Sequence, residues 1–587
     1  MPTTSVRRRI SLGAGLPDQL LGRGQLLADG GSAGSFDDGG LTPSVSVIAP
    51  LPRQAAAQRV GPLTPFVGHS PPRFPTARLR YRPPQQLTPS SEGLPMGVQR
   101  PPGKSARVRA GGTNKSEGAA RVHLYRPVEE RVARGLAWRE AAPLEGHARY
   151  ATNRRRKNPV AILQAQDDAR VRDLVPIRYG RMSASAFAFY RGSAAIMAYD
   201  LASQKWTPGH TQLCGDAHLS NFGVFGSPER DLVFDVNDFD ETLPGPFEWD
   251  VKRLVVSFVL AARDRGFKRK EARIAVRAAL QGYRTAIAEL AQLGTLDVWY
   301  HRIDEQMLLD AITQMGTDLV KGKGKAERKA VKSATKAAMA GFDKARRKTS
   351  MKAAEKLTEL VDGHYQFRED PPLLFGVSAD ERRVVEVGFR DYRATLPDDR
   401  RRLLERYRLI DVAQKVVGVG SVGTRAGILL LEGRDEADPL VMQFKEATTS
   451  VLEPYVGAST ASQHGQRVVE GQRYMQAASD IFLGWVQGEG GRDFYIRQLH
   501  DMKGSVDTAT IQPTGLTAYA GLCGATLARA HARGGDAIAI DAYLGTDDTF
   551  SQALEEFAQV YADQAEQDYG KLQQAITQGK IPVQTGI

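Results

Sequence analysis

The residues whose types and spacing suit chemistry begin at Cys214-Gly215-Asp216-Ala217-His218-Leu219-Ser220-Asn221-Phe222-Gly223 and continue at Val233-Phe234-Asp235-Val236-Asn237-Asp238-Phe239-Asp240. Together they concentrate carboxylates and one amide between short apolar runs. Asp216 and Asn221 are five apart, so one loop offers a carboxylate to take a hydroxyl proton and an amide oxygen to ligate a metal. Asp238 is the first choice for a further metal ligand, with Asp240 beside it and Asp235 a close rival. Hard Mg²⁺ takes carboxylate oxygens together with phosphates. An acidic turn capped by its own side chains is the plainer alternative, but carboxylates packed this densely repel one another unless a cation sits among them.

A second group lies about 200 residues further on. Gly418-Val419-Gly420-Ser421-Val422-Gly423 has the G-x-G-x-x-G form, a weak signal on its own. In a dinucleotide-binding unit a helix follows these glycines. Here Thr424-Arg425-Ala426-Gly427-Ile428-Leu429-Leu430-Leu431 reads as a strand instead. Strand, glycine loop, strand, then a third strand bearing Lys445 is the arrangement with which protein kinases cover ATP phosphates. Gly418, Gly420, Ser421 and Gly423 would present backbone amides to phosphate, and Lys445 a point positive charge. An ordinary hairpin with an exposed lysine is the alternative.

Gly215-Asp216-Ala217-His218-Leu219-Ser220-Asn221 resembles the G-D-x-H-x-x-N loop of aminoglycoside phosphotransferases and choline-kinase-like enzymes. Asp238-Phe239, with Gly245 and Asp250 after it, is similar to their second, metal-binding segment. Residues 130–570 also resemble an uncharacterised bacterial family, domain of unknown function 2252, through Arg181-Met182, the Cys214–Gly223 loop, Asp235–Thr242, the glycine loop and Gly471-Gln472-Arg473. The kinase resemblance implies an α+β, two-lobed fold, ATP and Mg²⁺ as cofactors, Asp216 as base, Asn221, Asp238 and Asp240 at the metal, and Glu470 (or Glu453) paired with Lys445. This chain departs from that pattern in two ways. Cys214 stands where a histidine is usual, and the glycine loop follows the catalytic loop. A circular permutation reconciles the order: Leu527-Ala528-Arg529-Ala530-His531 resembles the helix that leads into the catalytic loop, and should then pack just before Thr211 in space.

The elements that position these residues follow from hydrophobic period. Val132, Leu136 and Trp138 predict a helix with one apolar face. Arg154-Arg155-Arg156 reads as a solvated basic cluster. Phe187–Gly192 reads as an aromatic strand or turn, whose Arg191 suits a phosphate or carboxylate, a structural ion pair being the commoner arrangement. Leu232–Val236 reads as a buried strand, Trp249–Ala262 as a helix, and 265–400 as mostly helical and polar, with Lys321–Lys356 an exposed helical insertion. Three strands are expected over Val412–Val419, Arg425–Leu431 and Leu440–Phe444. Ala461–Asp480 and Leu516–Arg533 read as helices, the second stopping at Gly534-Gly535, with Phe494–Leu499 a strand between them. A last helix over Phe550–Tyr569 has Leu554, Phe557 and Val560 on one stripe. The expected divisions are 1–125, 126–264, 265–404 (helical insertion), 405–505 (β-rich nucleotide lobe) and 506–587.

Composition bounds the reading. The net charge of +12 is concentrated in residues 1–125, which hold 16 Lys+Arg against 6 Asp+Glu, a surplus of +10. The basic pI therefore describes a Pro/Gly-rich tail expected to be disordered, and argues against nucleic acid as a partner of the folded body. An initiation site nearer Met96 is another reading of the same tail. Two cysteines exclude a disulfide framework. No run approaches the roughly 20 apolar residues of a membrane span, and no apolar stretch follows Arg7-Arg8-Arg9, so a cytoplasmic protein is expected. The expected function is ATP- and Mg²⁺-dependent phosphoryl transfer to a hydroxyl, of a small molecule before a protein. Nucleotidyl (AMP) transfer, a non-catalytic nucleotide-binding regulator and a metallophosphoesterase are the alternatives. The last needs histidine ligands, and the chain has ten histidines and no Asn-His pair.

Overall fold

The computed structural model describes residues 125–150, 155–310, 324–362, 364–499 and 501–587. The chain divides into two units, Met1–Arg109 and Ala110–Ile587, and every described residue belongs to the second. Residues 1–124 of the expected tail lie outside the described residues.

Helices α1 (Val128–Ala141), α2 (Pro159–Gln164), α3 (Val175–Met182), α4 (Ala186–Arg191) and α5 (Ala194–Ala202) come first. Four short strands follow: β1 (His210–Leu213), β2 (Phe222–Gly226), β3 (Leu232–Val236) and β4 (Leu243–Pro246). They form two antiparallel hairpin-like pairs, β1 with β4 and β2 with β3. Next come α6 (Phe247–Asp264), α7 (Arg269–Ala291), α8 (Thr295–Tyr300), α9 (Lys325–Arg346) and α10 (Ser350–Leu357). β5 (Thr358–Val361), β6 (His364–Phe367) and β7 (Leu374–Gly376) precede α11 (Ala379–Arg393) and α12 (Asp398–Leu404). The strands β8 (Arg408–Lys415), β9 (Ala426–Glu432) and β10 (Pro439–Ala447) are followed by α13 (Glu453–Val456) and α14 (His464–Met475). β11 (Gly484–Gln487), β12 (Asp493–Gln498), α15 (Pro513–Gly534), α16 (Ala537–Leu544) and α17 (Thr549–Thr577) complete the chain.

The fold is α+β, with a helical core and a sheet core. In the helical core α6, α7, α15 and α17 bury apolar faces against one another, with Phe247, Tyr283, Leu527 and Phe557 fully enclosed. Loss of one such aromatic side chain typically costs about 3–5 kcal/mol. Glycine lets α7 and α15 approach closely: a Cβ on Gly282 would sit 2.2 Å from the Gly521 carbonyl oxygen, and one on Gly524 2.0 Å from that of Ala279. The sheet is six-stranded in the order β11-β12-β10-β9-β8-β7, every pairing antiparallel. One of its faces packs under α11 through Tyr392, Leu429 and Met442. The other packs on α10 through Ala353 and Ala354.

The structure corrects several local expectations. Phe187–Arg191 is helical, with Phe187, Phe189 and Tyr190 buried. Val132 and Leu136 are exposed, and Trp138 carries the burial of α1. Val560 is exposed, so the α17 stripe rests on Leu554 and Phe557. The insertion drawn over 265–404 opens with α7, which belongs to the helical core. Its polar composition reflects one wet face, since Ala272, Ala275, Val276, Ala279 and Tyr283 are buried at helical spacing. The Lys-rich stretch ends in α10 beneath the sheet, and β5 to β7 lie where helix was expected. Among the described residues no helix is long and apolar enough to cross a membrane.

Candidate active site

The loop between β1 and β2 carries Asp216 and Asn221, and it is held from below by α6. Asp250 sits in the first turn of α6, where the helix dipole favours a carboxylate. Its two oxygens accept the backbone N–H groups of Cys214 (2.8 Å) and Gly215 (3.1 Å). Gly215 has φ +81°, and a Cβ there would lie 2.3 Å from the Glu241 carbonyl oxygen, so the turn requires glycine. His531, from α15, places Nε2 3.3 Å from Asp250 and Nδ1 2.9 Å from the Tyr283 hydroxyl. The Thr211 hydroxyl donates to the His531 carbonyl at 3.1 Å. The helix bearing Leu527–His531 thus packs beside Thr211, and the loop support expected from a histidine at position 214 comes from Asp250 and His531.

Asp216 is ion-paired with Arg253, one turn along α6, at 2.8 Å. The Arg253 guanidinium also donates to the Tyr190 carbonyl at 2.6 Å and lies over the Tyr190 ring. The other Asp216 oxygen is 3.8 Å from His218 Nε2. Asn221 donates its amide to the Asp216 carbonyl at 2.8 Å, which ties the two ends of the loop together. Burial pushes the Asp216 carboxyl above its ordinary range, against the pull of Arg253. His218 is held well below the usual imidazole value by burial and by Arg191 and Arg253, and stays neutral.

The run after β3 separates its three aspartates. Asp235 is sealed in the core by an ion pair with Arg529 and accepts the Ala477 N–H at 2.9 Å, which removes it as a metal-ligand rival. Asp238 and Asp240 both line the cleft. α14 fixes this segment through Arg467, whose guanidinium donates to the carbonyls of Asp240 (2.9 Å), Thr242 (2.7 Å) and Thr448 (2.7 Å).

Lys445 and Tyr495 are cross-strand partners on β10 and β12, so their side chains share a face. Both reach Asp240: Lys445 through an ion pair, Tyr495 through a 2.9 Å hydrogen bond. Ser421, in the glycine loop, donates to the same carboxylate at 3.3 Å. The expected partner of Lys445 is therefore wrong on both counts. Glu470 accepts from Gln466 at 2.6 Å, and Glu453 caps Ser450 at 3.1 Å. Burial opposes ionisation of Asp240 but Lys445 overrides it and holds the carboxyl below its usual range. Asp238 has no cation within ion-pairing distance among the described residues, and burial with the adjacent Asp240 pushes its carboxyl up.

The glycine loop joins β8 to β9, with Gly418 at φ +71° and Gly423 at φ +91°. Gly418, Gly420 and Ser421 line the cleft, while Gly423 packs against the Arg170 side chain. The N-terminal helices clamp the loop. Arg181 donates to the Gly418 carbonyl and Arg170 to that of Val422, each at 2.5 Å, and Val171 N–H donates to the Gly423 carbonyl at 2.8 Å. The cleft so enclosed measures about 360 Å³.

A family model described as an uncharacterized protein conserved in bacteria (DUF2252) matches residues 170–575. The chain belongs to the DUF2252 family. No curated protein and no solved structure matches it.

The matched span of this DUF2252 chain contains both motif-bearing stretches and everything that clamps them. Of the residues expected at a site, Asp216, Asn221, Asp238, Asp240, Gly418, Gly420 and Ser421 meet at one cleft, and Lys445 reaches it through Asp240. Glu470 stands apart. The structure adds Arg253, Tyr495, Arg467 and Arg170. Arg253 follows Asp250 by three residues on one helical face, a signal the sequence did carry; Tyr495 needed the β10–β12 register. No group of three His, Cys, Asp or Glu among the described residues is arranged to hold a metal unaided. Mg²⁺ does not demand one: it takes one or two carboxylates and completes its shell with phosphate and water. Asp238, Asp240 and the Asn221 amide are such hard donors.

Proposed function

We propose that this cleft is the site of an ATP- and Mg²⁺-dependent phosphotransferase acting on a hydroxyl, more readily that of a small molecule than of a protein. The observation that carries the reading is the ion pair of Lys445 with Asp240, two residues from Asp238, which forms no ion pair among the described residues, in a cleft walled by the glycine loop and Asp216. Two distant stretches of chain meet there with the charges a polyphosphate and its metal require. The strand order in which a glycine-loop hairpin leads to the lysine strand, and the packing of Thr211 against His531, support a permuted kinase-like, two-lobed arrangement.

In this reading Mg²⁺ would be held by Asp238, Asp240 and Asn221, and when bound it supplies charge neutralisation at the phosphates. The chain's own groups do the rest. Lys445 and the loop amides at Gly418–Ser421 grip phosphate oxygens. Asp216 accepts the acceptor's proton as its oxygen bonds to the γ-phosphorus and the bridging bond to ADP breaks. A raised carboxyl pKa makes Asp216 a better proton acceptor, while Arg253 keeps it ionised and aimed. Positioning and charge complementarity account for most of the acceleration.

Incubation with γ-labelled and, separately, α-labelled ATP tests the reading. Transfer of the γ label alone, lowered on the order of 10²–10⁴-fold in Asp216→Asn, supports it. Transfer of the α label identifies AMP transfer instead, and unchanged turnover in Asp216→Asn removes the base assignment.

A further inference from the structure

Two guanidinium groups on one wall of the cleft form no ion pair among the described residues, although carboxylates lie near both. Arg170 lies in the turn before α3, and Arg191 closes α4. Both line the cleft, and among the described residues neither has a carboxylate within ion-pairing distance. The Nε of each is buried without a hydrogen-bond partner. Arg170 spends one donor on the Val422 carbonyl.

Apart from Asp238, the carboxylates across the cleft are already engaged. Asp216 is paired with Arg253 at 2.8 Å, Asp240 with Lys445, and Glu446 with Arg425 at 3.2 Å, while Glu241 accepts the Val451 N–H at 2.7 Å. Burial disfavours the charge on both arginines, and the Arg178 guanidinium adds to this at Arg170. A desolvated cation with no partner is costly to hold. The rigid fork of a guanidinium matches phosphate and carboxylate. Position narrows the ligand further. Arg191 is close enough to Asp216 for that carboxylate to be its main stabilising charge. A Cβ on Gly420 would lie 3.4 Å from the Arg191 carbonyl oxygen, so the residue also abuts the glycine loop.

We propose that Arg170 and Arg191 form an anion site that receives a phosphoryl or carboxylate group beside Asp216, carried either by the terminal phosphate of the nucleotide or by the acceptor. The site deepens the phosphotransferase reading by naming a chemistry which that reading leaves open. It can be tested without turnover, so failure of the one does not entail failure of the other.

The test is calorimetric titration of inorganic phosphate into the full chain at constant ionic strength. Wild type, Arg191→Lys and the double variant Arg170→Gln/Arg191→Gln are compared, with thermal unfolding as a folding control. Phosphate should bind the wild type and bind the double variant at least about tenfold more weakly, the worth of one or more charge-assisted hydrogen bonds. Arg191→Lys keeps the charge and loses the fork, so it should fold and bind with intermediate strength. Repeating the titration in protein saturated with a non-hydrolysable ATP analogue separates the sources. Loss of phosphate binding assigns the site to the nucleotide's terminal phosphate; retained binding that the double variant abolishes assigns it to the acceptor. Wild-type protein that binds no phosphate, or variants that bind it as tightly as wild type, would overturn the proposal.

Discussion

Two charged regions of this molecule differ in how completely their charges are answered. At the junction of α5 and α17, Arg156 makes paired hydrogen bonds to Asp200 (2.6 and 2.7 Å) and Asp568 (2.8 and 2.5 Å). Tyr561 donates to Asp200 at 2.8 Å and Gln564 to Asp568 at 2.9 Å. Each of the three charged groups there has its partners inside the fold. In the cleft, among the described residues, Asp238, Arg170 and Arg191 form no ion pair, and a buried nitrogen of His218 has no hydrogen-bond partner. The two regions use the same residue types; one is closed and the other open. A saturated cluster holds helices together, whereas an unsaturated one of both signs is poised for a ligand of both signs, such as a metal-bound phosphate.

The largest effect should come from opening the closed cluster. Arg156→Met leaves two buried carboxylates facing each other and should lower stability by about 3–5 kcal/mol, the usual cost of removing one side of a buried pair, read by urea unfolding. A loss below about 1 kcal/mol would show that the cluster is no more structural than a surface pair.

The next effect concerns pH. Burial pushes Glu241, at the cleft, up to about 7 from an ordinary 4.5. Between those values the folded state binds more protons than the unfolded one, so this group's contribution to stability is fully present below about 4.5 and is lost as pH rises through about 7. Glu241→Gln should therefore gain on wild type by about 1–3 kcal/mol between pH 4.5 and pH 8. A flat difference across that range would contradict the assignment. The smallest effect should be at Asp238. Asp238→Asn should leave stability within about 1 kcal/mol or raise it, because functional groups left uncompensated seldom stabilise the fold. A large loss in denaturant unfolding would place Asp238 with the closed cluster.

What the sequence revealed follows the same division. Local pattern located α6, α15, β3 and the β8–β10 run, because each has its own period and its own stop. Asp216, Asn221 and Asp238 reach one cleft because their segments link β1 to β2 and β3 to β4, between the Leu213–Leu243 and Phe222–Val236 pairings. Partner choice was not legible. Lys445 meets Asp240 rather than Glu470 because β10–β12 pairing turns Lys445 and Tyr495 to one face, and register is not written in composition. Arg156 reads as a solvated arginine until Asp568, 412 residues further along the chain, is seen to meet it beside Asp200. Polar α7 reads as an insertion because much of its first half buries through alanines packed at close backbone approach, with Leu280, Tyr283 and Ile287 buried only further along.

The most direct measurement is the thermal unfolding of the wild-type chain with ATP, with Mg²⁺, with both, and with neither, set beside Lys445→Met. The account predicts stabilisation by ATP that requires Mg²⁺, on the order of 2.7 kcal/mol at a hundredfold excess over the dissociation constant, and its loss in Lys445→Met. Wild-type protein that gains no stability from ATP and Mg²⁺ together, or a Lys445→Met variant that gains as much, would contradict it.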